Sequence, residues 1–273
     1  MKKTTKLKII KIAILILCVF FAINIIVFTA KYTIWHLENK SNDKLVDKIF
    51  DETKIEDDTN SNAEIVNPPS DKPNDRYWQY INTALINVDF TELNKENNDV
   101  VGWIKIEGTN INYPFVQTNN NDYYLNHSFD KKKNSAGWVF LDYRNNINKL
   151  QKNTIIYAHG REDDTMFGTL KNILKSKWLE DPNNYIVKLA TAQENTLWQV
   201  FSVYRIPTTS DYLQTDFIST EEYETFLKLI KERSQYDFQT DLADNDQIIT
   251  LSTCYNKTDK VVLHAKLIKK SNK

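Results

Sequence analysis

The sequence predicts a mainly β domain with flanking helices, an eight-stranded barrel preceded by one transmembrane helix. Three observations carry this. Eight β-rich runs separated by turn residues follow one another between Val100 and Ile268. Two helical patterns interrupt them. An apolar stretch from Ile12 to Ala30, broken only by Asn24 and Thr29, is long enough to cross a bilayer.

Lys2, Lys3, Lys6, Lys8 and Lys11 precede the apolar stretch. A cleaved signal peptide would end a shorter apolar region at a small-residue site, which Phe28-Thr29-Ala30-Lys31 matches poorly. The pattern therefore reads as an uncleaved signal anchor, 12–30, behind a cytoplasmic basic segment, 1–11, with the bulk of the chain outside the membrane. Residues 31–73 are polar and charged, carry Asn67-Pro68-Pro69-Ser70 near their end, and read as a stalk, part of it helical from Trp35 to Phe50. The extracellular domain is expected over 74–273.

Tyr77, Tyr80, Ile81, Ala84 and Leu85 recur at helical spacing, and Asp89 with Glu92 resembles a capping box opening a second short helix. The strands are expected at Val100–Ile106, Ile111–Gln117, Gly137–Asp142, Thr154–Ala158, Tyr185–Leu189, Leu197–Ile206, Ile248–Cys254 and Val261–Ile268. Turn residues such as Glu107-Gly108 and Asp181-Pro182-Asn183-Asn184 separate them. Met166, Leu170, Ile173 and Leu174 form one helical apolar face. Ser219 with Glu222 caps a clearer helix bearing Tyr223, Phe226, Leu227 and Ile230, between the sixth and seventh strands. A long insertion in a barrel is often where binding specificity is built.

With 41% hydrophobic residues the chain can bury a good core, and its formal net charge of -1 gives no electrostatic reason to expect nucleic acid. Trp78, Trp103, Trp138, Trp178 and Trp198 are spread through the elements and read as core anchors. There are two cysteines, and Cys18 falls in the membrane stretch. Cys254 then has no intramolecular partner, so it is an intermolecular crosslink, a buried bystander or a reactive thiol.

A reactive thiol needs a proton-transfer partner. His36 lies in the stalk, while His127, His159 and His264 lie in the domain. His127 and His264 read as structural. His159 follows Thr154-Ile155-Ile156-Tyr157-Ala158 where a strand runs out, as Cys254 does, so a barrel can bring both to one rim. Histidine before cysteine is the reverse of the papain-like order.

Thr250-Leu251-Ser252-Thr253-Cys254 resembles the TLxTC signature of sortases, and Tyr157-Ala158-His159 resembles the segment with their catalytic histidine. The resemblance extends to Asp99-Val100-Val101-Gly102-Trp103-Ile104, to Asn121-Asp122-Tyr123-Tyr124-Leu125-Asn126-His127 and to Phe140-Leu141-Asp142-Tyr143-Arg144. From about Asp75 to Ile268 the chain looks like a class B sortase. That implies a membrane-tethered cysteine transpeptidase of a Gram-positive bacterium, needing neither metal nor organic cofactor. Such an enzyme cleaves a Thr-Gly-type bond in the sorting signal of a secreted protein through a thioester, then joins the acyl group to an amine of a peptidoglycan precursor or cross-bridge.

By that resemblance Cys254 is the nucleophile and His159 the acid and base, and the Tyr255 N–H serves the oxyanion. Asn121, Tyr157 and Ser252 fall in the substrate groove. One departure stands out. Sortases place an arginine at the start of the strand after the cysteine, and this chain has Lys260 there, behind a short loop. Lysine keeps the charge but loses the planar fork, so Lys260 is expected to substitute for the arginine, with Arg161 and Arg205 as other cations able to reach in. The other functional readings are a hydrolytic cysteine peptidase and a weakly active or non-catalytic surface assembly protein.

Overall fold

The structure, a computed structural model, describes residues 2–59, 62–69 and 76–273, with the side chains of 2–5 left aside. The chain divides into two units, 1–46 and 47–273. The first is helical throughout its described length and belongs to helix α1 (Lys2–Glu52). That helix is long and apolar enough to cross a membrane, and its apolar side chains from Leu7 to Phe28 are exposed.

The second unit opens with the end of α1 and strands β1 (Ile55–Asp58) and β2 (Glu64–Ile65). Helix α2 (Arg76–Tyr80), strand β3 (Leu85–Val88) and helix α3 (Thr91–Glu96) follow. Part of the segment expected as a stalk thus belongs to the folded unit. β1 pairs with β3, and β2 pairs with the end of the chain's last strand through Lys269↔Ile65 and Lys270↔Glu64. The sequence Ile55-Glu56-Asp57-Asp58 has no apolar alternation, so its strand is imposed by the partner. The starting residue expected for the domain, Asn74, lies outside the described residues.

The helix read through Leu85 stops at Tyr80, because Leu85 and Ile86 are buried by strand pairing with β1. Asp89 does stabilise the start of α3, its carboxylate accepting from the Thr91 N–H and hydroxyl. Glu92 instead pairs with Lys95, so the reciprocal half of the box is missing.

Eight strands close the barrel: β4 (Val100–Ile106), β5 (Asn112–Val116), β6 (Phe140–Leu141), β7 (Asn153–Tyr157), β8 (Ile186–Ala190), β9 (Glu194–Pro207), β10 (Ile248–Cys254) and β11 (Asp259–Asn272). Around the wall the order is β10-β7-β6-β5-β4-β8-β9-β11, and β11 pairs back onto β10. Closure leaves no free edge among these eight. Helix α4 (Ser176–Leu179) and a 3-10 turn over Gly168–Leu174 replace the single helix expected around Met166–Leu174. The run expected over Gly137–Asp142 narrows to two paired residues, since Gly137 turns at φ +62°.

Helix α5 (Thr220–Glu232) lies in the β9–β10 connection as expected. The Ser219 side chain accepts from the Glu222 N–H, and the Glu222 carboxylate reaches back to the Ile218 N–H. Tyr223, Phe226, Leu227 and Ile230 join Phe201, Tyr204, Ile248 and Val262 in one buried cluster. Trp103, Trp138 and Trp198 are fully buried anchors of the core, and Trp178 nearly so.

His264 is fully buried within β11. The Thr250 hydroxyl donates to Asn153 Oδ1 and so accepts from His264 Nδ1, while Nε2 accepts from the Tyr204 hydroxyl. Burial, aided by the positive Arg233, lowers the imidazole to about 3, so it is held neutral.

Two outcomes test this packing. Ile230→Ala should cost about 2–5 kcal/mol and Ser219→Ala about 1 kcal/mol, both read from denaturant midpoints. The unfolded state protonates His264 below its ordinary value while the folded state resists, so its share of stability is present above about 6.5 and is lost as pH falls toward about 3. His264→Gln should flatten this acid limb of the stability profile, by at most about 1.4 kcal/mol per pH unit.

Candidate active site

The site is set by a parallel pair. β7 and β10 run side by side in the register Ile248↔Asn153 through Ser252↔Tyr157, so their C-terminal ends reach the same rim. The residues two places further on are His159 and Cys254. The Thr253 hydroxyl donates to the Ala158 carbonyl at 2.8 Å and extends the pairing beyond the ladder. Gly160 then packs on the end of β10 so closely that an added Cβ would stand 2.1 Å from the Cys254 carbonyl oxygen and 2.9 Å from Thr253 Oγ1. Only glycine fits that approach.

His159 is half-buried and fixed on several sides. Its carbonyl accepts from the Phe167 N–H, and the neighbouring Gly160 carbonyl accepts from Lys171 Nζ. Nε2 lies 2.7 Å from the Leu125 carbonyl oxygen. A carbonyl can only accept, so Nε2 carries the hydrogen, and in the neutral ring Nδ1 carries the lone pair. Beneath the ring is Gly137, where a Cβ would meet the Tyr124 carbonyl at 2.5 Å and His159 Cδ2 at 3.0 Å.

Cys254 is an exposed free thiol. β10 and β11 form an antiparallel pair in which Cys254 lies opposite Lys260, and Lys260 Nζ donates to Cys254 Sγ at 3.0 Å. Cross-strand partners project from the same face, which is why a residue six places along the chain meets the sulfur. The turn between them is tight. The Tyr255 N–H, expected to serve the oxyanion, donates to the Asp259 carbonyl at 2.8 Å instead. Its ring lies under the Arg205 guanidinium, 4.0 Å away, and Tyr255 does not line the cleft.

A cleft of about 720 Å³ opens over these groups. Cys254, His159, Lys260, Asn121, Tyr157 and Ser252 all line it. Part of the wall is the 208–213 segment after β9, which the sequence reading left unassigned. The Tyr212 hydroxyl bonds Ser252 Oγ at 2.9 Å, and Arg144 Nη2 donates to the Leu213 carbonyl at 3.0 Å, holding that segment to the barrel.

Asp142 organises the opposite part. Its buried carboxylate accepts from Arg144 Nε and Nη2 at 2.8 and 2.7 Å, from the Tyr157 hydroxyl at 2.8 Å and from Asn121 Nδ2 at 3.1 Å. Burial alone would favour the neutral acid, but the donors, Arg144 foremost, hold it below the usual carboxylate range. Burial and the adjacent Asp142 push the Tyr157 hydroxyl upward, so it stays a neutral donor. Tyr157 and Asn121 are therefore pinned by one carboxylate. The Asp142-Tyr143-Arg144 spacing was the available sequence signal for this node.

The two alternative cations are occupied. Arg205 donates to Asp259 at 2.6 Å, and Arg161 donates to Asp163 and Thr165. His127 stacks on Tyr123 at 4.0 Å and bonds its carbonyl, the structural role expected of it. Among the described residues no cluster of three or more His, Cys, Asp or Glu groups could hold a metal.

Residues 104–268 match the Sortase domain family. Sortase B of Staphylococcus aureus is 39% identical over 186 residues, covering 67% of this chain and 75% of the relative. The solved Staphylococcus aureus sortase B–substrate complex superposes at TM-score 0.62 with 38% identity, over 66% of this chain and 84% of that one. Sortase B of Bacillus anthracis in complex with AAEK1 superposes at TM-score 0.68 with 32% identity, over 86% of this chain and 99% of that one. With its thiol and imidazole at one rim of the barrel, the chain belongs to the sortase family as a class B cysteine transpeptidase.

Proposed function

We propose that this protein anchors secreted proteins to the cell wall of a Gram-positive bacterium. It cleaves a Thr-Gly-type bond in their C-terminal sorting signal and passes the acyl group to a peptidoglycan amine. The observation that carries the proposal is the Lys260–Cys254 contact at the mouth of a cleft whose rim also bears His159. The contact sets the sulfur beside a cation and near an imidazole, the setting in which a cysteine acts as a nucleophile.

The thiolate attacks the peptide carbonyl, and the tetrahedral oxyanion forms beside Lys260. With the Tyr255 N–H committed to the turn, the ammonium is the charge nearest the reacting sulfur, in the place the family gives to arginine. His159, having taken the thiol proton as the thiolate formed, gives it to the leaving amine, and the thioester remains. An incoming amine then surrenders a proton to His159 and releases the acyl product, so a single imidazole serves both half-reactions.

Substrate enters along the cleft between the 208–213 segment and the Asp142-held pair Asn121 and Tyr157. Ser252 lies at its floor with Tyr212. The helix α1 supplies the membrane anchor, with the N-terminus cytoplasmic and the catalytic domain, 74–273 by the sequence reading, outside. Neither metal nor cofactor has a part in these steps.

The test is mass spectrometry of the full chain in detergent, mixed with peptides carrying Leu-Pro, Asn-Pro or Ser-Pro before a Thr-Gly bond. A thioester on Cys254 should form with at least one peptide, and adding an amine acceptor should divert it to a joined product. Cys254→Ala should abolish both. Release of hydrolysed peptide regardless of the amine would instead make the protein a peptidase, and cleavage surviving in Cys254→Ala would remove the thiol from the reaction.

A further inference from the structure

Lysine at the arginine position changes more than hydrogen-bond geometry. A guanidinium stays protonated and cannot act as a nucleophile in a protein, whereas a lysine amine can lose its proton and attack a carbonyl. Here that amine lies 3.0 Å from the sulfur that would carry the acyl group. The acyl carbon would be bonded to that sulfur, so the contact brings the amine close to the carbon it would attack, and such proximity turns a bimolecular step into an effectively unimolecular one.

The surroundings favour the same outcome. Asp259, the adjacent carboxylate, is taken by Arg205 and by the Thr258 hydroxyl, and Cys254 Sγ is the hydrogen-bond partner of Nζ among the described residues. The short turn and the Cys254↔Lys260 register keep the pair opposed whatever occupies the cleft.

We propose that Lys260 is an internal acyl acceptor, which takes the acyl group from Cys254 when no external amine arrives. The inference rests on the thioester step proposed above. His159, a free base once it has given its proton to the leaving amine, takes one proton from the Lys260 ammonium and so frees the Nζ lone pair, which attacks the thioester carbonyl; the C–N bond forms and the C–S bond breaks. Sulfur leaves as thiolate and takes the second proton shed by nitrogen. The product is an amide on Lys260 beside a regenerated thiol. No oxidant, reductant or further reactant enters.

The consequence is a self-limiting enzyme. Acylation removes the cation beside the thiol and plugs the mouth of the cleft, so each molecule that stalls without an acceptor is retired. An external amine at saturating concentration competes for the same thioester and protects the enzyme.

The experiment loads the full chain in detergent with a short peptide thioester ending in threonine, which acylates the thiol by exchange without a known sorting motif. Hydroxylamine treatment and peptide mapping follow. The expected result is an acyl adduct that starts hydroxylamine-labile on Cys254 and becomes resistant on Lys260. Lys260→Arg should show the labile adduct alone, and Cys254→Ala neither. An adduct that stays wholly labile in the unaltered chain would overturn the internal transfer while leaving the thioester step intact. Equal Lys260 acylation in Cys254→Ala would overturn the route through sulfur. Absence of both adducts from the unaltered chain would sink the thioester step and the inference together.

Discussion

The parallel pairing of β7 with β10 is the constraint on which the site depends. Neighbouring parallel strands end on the same side of a sheet, and the Ser252↔Tyr157 register leaves His159 and Cys254 the same distance beyond it. A one-residue slip would turn every side chain of one strand to the other face and separate them. Three contacts past the ladder oppose such a slip: Thr253 to the Ala158 carbonyl, Gly160 against the Cys254 carbonyl, and Lys171 to the Gly160 carbonyl. Each acts on backbone, and the His159 and Cys254 side chains are left lining the cleft.

The second constraint is the hairpin from β10 into β11. Its short turn satisfies the Tyr255 N–H internally and places Lys260 across from the thiol. The barrel therefore offers a charged amine at the sulfur where a longer loop could have offered a free backbone donor. Behind both strands, the Asn153, Thr250, His264 and Tyr204 chain of hydrogen bonds ties β7, β10, β11 and β9 together in the buried interior. Each of these four side chains has its hydrogen-bond partners, so the network beneath the rim fixes how the strands sit together.

What could be read from the sequence follows the strength of local signals. Ile248–Cys254 and Val100–Ile106 appear where their apolar runs put them, and Ser219 caps α5 as its spacing requires. β11 extends well past Ile268 because Lys269, Lys270 and Ser271 pair with β9, a tertiary demand that no alternation announces. The same applies to β1, whose charged residues become a strand only beside β3. In the site, the approach of His159 and Cys254 to one rim was legible from two strand ends, and Lys260 from the resemblance, which set it at the family's arginine position. The Tyr255 N–H was not, since its partner depends on turn geometry, and neither was the 208–213 wall, which has no periodicity and is placed by Tyr212 and Arg144.

Gly160→Ala addresses the close meeting of the two strand ends without touching a reacting group. Its added Cβ would require the Cys254 backbone to move, since 2.1 Å from a carbonyl oxygen is no tolerable contact. The measurement is kcat/KM for peptide cleavage by the full chain, beside a thermal midpoint showing that the barrel persists. The account predicts a loss of about 100-fold, the scale of an ångström's misplacement of catalytic groups. A folded Gly160→Ala protein cleaving at the unaltered rate would contradict it.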